Sequence, residues 1–314
     1  MSNIDRFYRS KWGVFNHFLS HEIASSEEWN EKVDGLDVEK IAKNLHEMGA
    51  SYYFITIMQG TKYMCAPNST YDRICGIKPG EACSRRDLIA DLIKALSVYD
   101  IDLYLYYTGD GPYKHEECGK KMGFIEPREN ISEDFVRNWA AVLEEYAIRY
   151  KGKVKGWWID GCYDYFGYTD ELMTIYSDTV KRVDPDAVIA FNNGELVMQQ
   201  IYEKPFIIDK RCSSADYTAG ELVDISYIPE SRFTDGAQNH LLIPIGIPAI
   251  AEDLGTSWCR PGLKRSPDEI KEFLKKANVN GVVVTFDIYL DRYGNFDEEQ
   301  MKALKSCSRE KKRP

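Results

Sequence analysis

The sequence predicts an α/β fold, a single-domain (β/α)8 barrel of the TIM type. Three observations predict it. Short apolar runs alternate with amphipathic stretches along the whole chain. The runs are rich in β-branched and aromatic residues with almost no polar break, the pattern of parallel strands covered on both faces. Seven such runs, with an eighth guessed within 214–227, occupy 314 residues. Barrels of roughly 250 residues plus insertions fill such a length as one domain. No G-x-G-x-x-G follows any strand, which removes support for an open dinucleotide-binding sheet. The barrel is expected over 1–306, followed by a solvated basic tail over 307–314 that contains Arg309, Lys311, Lys312 and Arg313.

Each element has a local reason. Gly13–Phe18 is the first apolar run, and Val38, Ile41, Leu45 and Met48 then share one helical face. Tyr52–Ile57 is a run of β-formers. Ser84 with Asp87 three residues on reads as a helix cap, ahead of Leu88, Leu92, Ile93 and Leu96. Leu103–Tyr107 is a strand. Phe135–Tyr150 is a helix with Trp139, Leu143 and Tyr146 inward. Strand Val154–Ile159, helix Leu172–Val183 and strand Ala187–Phe191 follow. The stretch 196–245 is irregular, and Ile247–Ala251 reads as a short strand. Ser266, Pro267 and Glu269 supply an N-cap, a proline at N1 and an acid at N3. Val282–Phe286 is the last strand, and Glu298–Leu304 the last helix.

The net charge of −10 disfavours binding to phosphate backbones, so no nucleic-acid partner is expected. Eight cysteines form no C-x-x-C pair, and no histidine stands beside them at ligand spacing. Free thiols are therefore expected, with no metal and no organic cofactor. No apolar signal stretch opens the chain, so a reducing, cytoplasmic location is the expectation. No run of eighteen apolar residues exists, so no membrane span is expected.

A parallel barrel carries its active site at the carboxyl ends of its strands. The polar groups there are Asn16 and His17, then Thr56 and Gln59, then Tyr106, Thr108 and Asp110, then Asp160. Asn192, Asn193 and Glu195 follow, then Asp216 and Glu221, Glu252 and Asp253, and finally Thr285 and Asp287. Glycoside hydrolysis needs two carboxyl groups, one at the anomeric carbon and one to protonate the leaving oxygen. Asp160 stands out because it ends a strand carrying Trp157 and Trp158 and precedes Gly161. Its bland alternative is an Asx-turn cap. The two tryptophans face opposite sides of the strand, so at most one lines a ligand site.

Several of these segments resemble glycoside hydrolase family 29, the α-L-fucosidases. Lys11-Trp12-Gly13-Val14-Phe15-Asn16-His17-Phe18 is similar to that family's K-F-G-I-F-x-H-W-G strand, and Gly156-Trp157-Trp158-Ile159-Asp160-Gly161 to its W-x-D-G strand. Looser likenesses run through Pro185–Ile189, Asp216–Glu221 and Asn280–Phe296. The resemblance implies a retaining mechanism without metal or organic cofactor, a carbohydrate substrate, and Asp160 as nucleophile. It implies an acid/base at Glu195, at Glu252 or, third, at Glu221. His17 would hold sugar hydroxyls, with Gln59 and Asn192 beside it and Tyr106, Trp158 and Trp258 as walls. One departure is plain. The family's K-H-H-D-G-F segment is Met58-Gln59-Gly60-Thr61-Lys62-Tyr63 here, so Gln59 stands where imidazoles are expected and sugar selectivity should differ. Two readings follow: an exo-acting glycosidase of fucose or a related sugar, or a carbohydrate-binding barrel that has lost its chemistry.

Overall fold

The computed structural model describes residues 2–124 and 130–308. The charged tail from Arg309 onward lies outside the described residues. The chain opens with helix α1 (Asn3–Ser10), and strand β1 (Trp12–Asn16) follows directly. Helices α2 (Ser26–Asp34) and α3 (Val38–Met48) lead to β2 (Tyr52–Thr56). Helices α4 (Ser69–Cys75) and α5 (Leu88–Ser97) precede β3 (Asp102–Thr108). Helices α6 (Glu116–Met122) and α7 (Glu133–Arg149) precede β4 (Val154–Asp160). Helix α8 (Asp170–Val183), β5 (Val188–Phe191) and α9 (Glu195–Ile201) come next. A small hairpin, β6 (Phe233–Thr234) and β7 (Ala237–Gln238), precedes β8 (His240–Pro244). The chain ends with α10 (Pro267–Val279), β9 (Val283–Asp287) and α11 (Glu298–Cys307).

The main sheet has seven parallel strands in the order β5-β4-β3-β2-β1-β9-β8. Its strands alternate strictly between two apolar clusters, as a pleat requires. Phe15, Tyr52, Phe54, Tyr104, Tyr106, Trp158, Val188, Ala190 and Leu242 fill the inner face. Val14, Tyr53, Ile55, Leu105, Tyr107, Trp157, Ile189 and Ile243 pack beneath the helices. The two tryptophans of β4 thus part as the pleat dictates, Trp158 inward and Trp157 outward.

No regular eighth strand forms among the described residues. Segment 216–222 lies instead between the two edges. The Asp216 amide donates to the Ile189 carbonyl on the β5 side at 2.9 Å, and on the β8 side the Leu222 amide donates to the Leu242 carbonyl at 2.9 Å. Isolated bridges join Tyr217 to Gln238 and Glu221 to Leu242. The close approach depends on Gly220, at φ +63°, where a Cβ would stand 1.7 Å from the His240 carbonyl oxygen. Any side chain there would force the segment off the edge. The result is a curled seven-stranded parallel sheet compatible with a TIM-like barrel.

Two expectations are corrected. The last-but-one strand is His240–Pro244, not Ile247–Ala251. All five residues of the former are buried, whereas Ile247 and Ile250 are exposed. Pro248 in the middle of the latter run cannot donate to a ladder. The cap of α5 is Asp87, whose side chain accepts from the Ala90 amide at 2.9 Å, because the buried Ser84 hydroxyl is spent on the Arg86 carbonyl at 2.7 Å. At α10 the expected signals act together, as Ser266 and Glu269 form a capping box with Pro267 at N1. All eight cysteines are free.

Helix α1 plugs the amino-terminal end of the sheet. Phe7 is fully buried, with ring centroids 5.0–5.5 Å from Tyr52, Tyr104, Tyr217 and His240. Arg6 beside it pairs with Asp102 at the start of β3. Lys11, at φ 66°, turns the chain from the plug into β1. Truncation of Phe7 to Ala removes a ring that no neighbour can replace. It is expected to cost about 3–5 kcal/mol in urea unfolding, with the native circular dichroism retained; a loss under 1 kcal/mol would show that α1 is not part of the core.

Candidate active site

Register sets the level at which the functional groups meet. Thr108 of β3 pairs with Asp160 of β4. The ladder between β4 and β5 continues one step beyond the strands, as the Asn192 amide donates to the Ile159 carbonyl at 2.8 Å and the Cys162 amide to the Asn192 carbonyl at 3.0 Å. Asn192 is thereby fixed beside Asp160. Glu221 reaches the same level through its bridge to Leu242. Gly161, at φ +72°, releases the chain after Asp160, where a Cβ would meet the Asp110 carboxyl carbon at 2.9 Å.

These side chains form one hydrogen-bonded chain. Gln59 Nε2 donates to the Tyr106 hydroxyl at 3.0 Å, and Tyr106 donates to Asp160 Oδ2 at 2.6 Å. Asn192 Nδ2 donates to Asp160 Oδ1 at 2.8 Å and to Glu221 Oε2 at 2.5 Å. One amide nitrogen therefore serves two carboxyl groups, so an oxygen of each lies no further from the other than these two bonds laid end to end. His17 completes the rim. Its Nδ1 lies 2.8 Å from Asp287 Oδ2, and its ring sits 4.4 Å from Phe15, 5.5 Å from Trp258 and 6.2 Å from Tyr106, between centroids. Tyr106 stacks on Trp158 at 5.4 Å, and the Trp158 indole donates to the Ala219 carbonyl at 3.1 Å.

The electrostatics single out Glu221. Burial, and then repulsion from Asp160, push Glu221 up to about 7, against the opposing pull of its hydrogen bond from Asn192. Burial and the adjacent Asp160 charge hold the Tyr106 phenol well above its ordinary value, so it stays a donor. Tyr163 is shifted the same way, chiefly by Asp160 and then by burial and Glu221. Burial pulls the His17 imidazole down, but Cys259 and Asp287 outweigh it and hold the group well above its usual range. A carboxylate held by two donors beside a carboxyl that keeps its proton near neutrality is an arrangement suited to nucleophile and general acid.

The structure thus brings together Asp160, Asn192, Tyr106, Gln59, Trp158, His17 and Trp258. Glu195 is exposed at the start of α9, where it lines a small cleft with Asn192, Asp209 and Glu221. Glu252 is exposed on a turn well past the end of β8, because the run Ile247–Ala251 expected to carry it forms no strand and β8 ends at Pro244. Sequence reasoning ranked Glu221 third, since an acid after an irregular stretch looks like a helix-start charge. The signal that could have raised it is Gly220, which marks a close backbone approach. Tyr163 carried no motif at all.

No protein-family model matches this chain, and no curated protein matches it in sequence. Solved structures do. α-L-Fucosidase AlfC from Lactobacillus casei superimposes with a TM-score of 0.65 at 16% identity, covering 98% of this chain and 97% of that one. A family 29 α-L-fucosidase from Bacteroides thetaiotaomicron gives 0.64 at 17% identity, covering 98% and 72%. The endo-fucoidan hydrolase MfFcnA4 of family 107 gives 0.70 at 13% identity, and this chain spans 53% of its length. The chain therefore shares its fold with glycoside hydrolases of families 29 and 107.

The Glu221 shift has a stability consequence. Its folded-state value lies above the ordinary 4.5, so its contribution is fully present below about 4.5 and is lost as pH rises through about 7. Glu221→Gln keeps the acceptor for Asn192 and has no proton to lose. It should match the wild type at pH 4.5 and exceed it at pH 8 by on the order of 1–3 kcal/mol, read from urea unfolding at the two pH values. Equal stability at both would mean that Glu221 is not desolvated beside a second charge.

Proposed function

We propose that this protein is a retaining exo-glycosidase that releases a terminal fucose or a related 6-deoxy sugar from a carbohydrate, within a barrel closed by segment 216–222. The observation that carries the reading is the Asn192 amide shared by Asp160 and Glu221. The short spacing it imposes suits the separation of about 5–5.5 Å of retaining enzymes and leaves no room for the water that inverting enzymes place between carboxyls roughly 6.5–9.5 Å apart. Asp160 attacks the anomeric carbon while Glu221 gives its proton to the leaving oxygen, producing a glycosyl ester on Asp160 and the free alcohol. Glu221, now a carboxylate, then takes a proton from water, whose oxygen displaces Asp160 and restores both groups.

The remaining residues serve these two. Tyr106 and Asn192 orient the Asp160 carboxylate, and Gln59 orients Tyr106. His17 binds sugar hydroxyls against Trp258 and Trp158. Gln59 lacks the charge and ring of an imidazole, so selectivity among deoxy-sugars is broader than that of a histidine-bearing site. Glu221 is preferred to Glu195 and Glu252 because it alone of the three is hydrogen-bonded to a partner of Asp160.

Aryl glycosides of fucose and related sugars test this. Asp160→Asn should abolish turnover with the fold intact, since an amide is nearly isosteric but forms no glycosyl ester. The wild-type kcat/KM should fall as pH rises through about 7, where Glu221 loses its proton. In Glu221→Ala that limb should vanish, activity on poor leaving groups should drop by about 10²-fold or more, and azide should restore turnover of good ones. Near-wild-type turnover by Asp160→Asn would refute the mechanism. Sugar binding without turnover by the wild type would instead favour the non-catalytic barrel.

A further inference from the structure

We propose that His17, Cys259 and Asp287 form a binding site for a borderline-soft divalent cation of the zinc class, beside the candidate active site. One donor atom from each of the three lies within 4.8 Å of the other two. Ligands on a tetrahedral ion at zinc–nitrogen and zinc–sulfur bond lengths stand roughly 3.3–3.8 Å apart, so relative shifts of at most about 1–1.5 Å by side-chain rotation close the set around an ion. The donors select the metal. A thiolate with an imidazole and one carboxylate suits zinc, cobalt or nickel, while calcium and magnesium demand oxygen cages.

The three ligands reach this point from segments separated in sequence. His17 follows β1 and Asp287 ends β9, and these strands are paired with Phe15 opposite Asp287. Cys259 arrives from a loop after Trp258, and its amide donates to Asp287 Oδ1 at 2.8 Å. Its backbone is left-handed, at φ 58°, a conformation costly for a residue with a Cβ and chiefly tolerated in asparagine and aspartate. A hydrogen-bonded Asp287–His17 pair needs no cysteine, and a cysteine strained into this place is accounted for by a ligand role. Three protein ligands leave one coordination position, and His17 keeps 11% of its side chain accessible. Binding releases the Cys259 thiol proton and the His17 imidazolium proton to solvent, because only a thiolate and a neutral imidazole coordinate.

The site stands on these ligands alone and does not require the glycosidase reading. Cobalt(II) is the probe, because sulfur ligation gives it a near-ultraviolet charge-transfer band. Chelator-treated full-length protein should bind one equivalent of cobalt with that band and with visible absorption of tetrahedral intensity, and zinc should displace it. Cys259→Ser, with native circular dichroism, should lose the charge-transfer band. His17→Ala should weaken cobalt binding at least ten-fold, which keeps the test decisive even if Asp287→Asn does not fold. Absence of a saturable band in the wild type, or a band unchanged in Cys259→Ser, would overturn the proposal.

Discussion

A single amide nitrogen, Asn192 Nδ2, holds two carboxyl groups together. Two half-buried like charges a few ångströms apart repel strongly, so ionising both is costly. The bridging amide stabilises one charge well and two charges poorly. Asp160, with a second donor in Tyr106, is the better-served anion, and Glu221, bonded to Asn192 and enclosed, keeps its proton to about 7. The raised proton affinity of Glu221 follows from its burial and from the neighbouring Asp160 charge, and it is what the proposed division between nucleophile and acid requires.

Everything that positions Asn192 serves this constraint. The β4–β5 ladder runs past the formal end of both strands and holds the asparagine backbone to the β4 segment through both its N–H and its carbonyl. Gly220 lets the Glu221 segment lie against β8. Below, buried aromatic side chains line the inner face from Phe7 up to Tyr106 and Trp158, so the polar chain of Gln59, Tyr106, Asp160, Asn192 and Glu221 rests on a largely apolar floor. The low local polarity strengthens each of its hydrogen bonds and raises the cost of leaving any unmade.

Much of the fold was legible in the sequence because the strands are buried on both faces and therefore read as unbroken apolar runs, Tyr52–Thr56 and Val154–Asp160 above all. Asp160, Tyr106, Asn192, Gln59 and His17 were legible as strand-end polar residues, since the carboxyl ends of parallel strands converge. Strand His240–Pro244 was not, because it begins with a histidine, ends with a proline and follows a long irregular stretch. Glu221 was underrated for a related reason: its segment forms only isolated bridges and so lacks a strand's periodicity. The meeting of His17, Cys259 and Asp287 depends on contacts across more than two hundred residues of chain, and no local spacing announces it.

The central claim is that Asp160 becomes covalently bonded to the sugar while Glu221 beside it manages the proton. A 2-deoxy-2-fluoro glycosyl fluoride of the preferred sugar slows release of such an ester more than its formation, so that the intermediate accumulates. Peptide mass spectrometry after incubation should find one fluorosugar per chain, on the peptide carrying Asp160, with labelling absent in Asp160→Asn. A label on Glu221 or Glu195, or time-dependent turnover with no label on any carboxylate, would contradict the account.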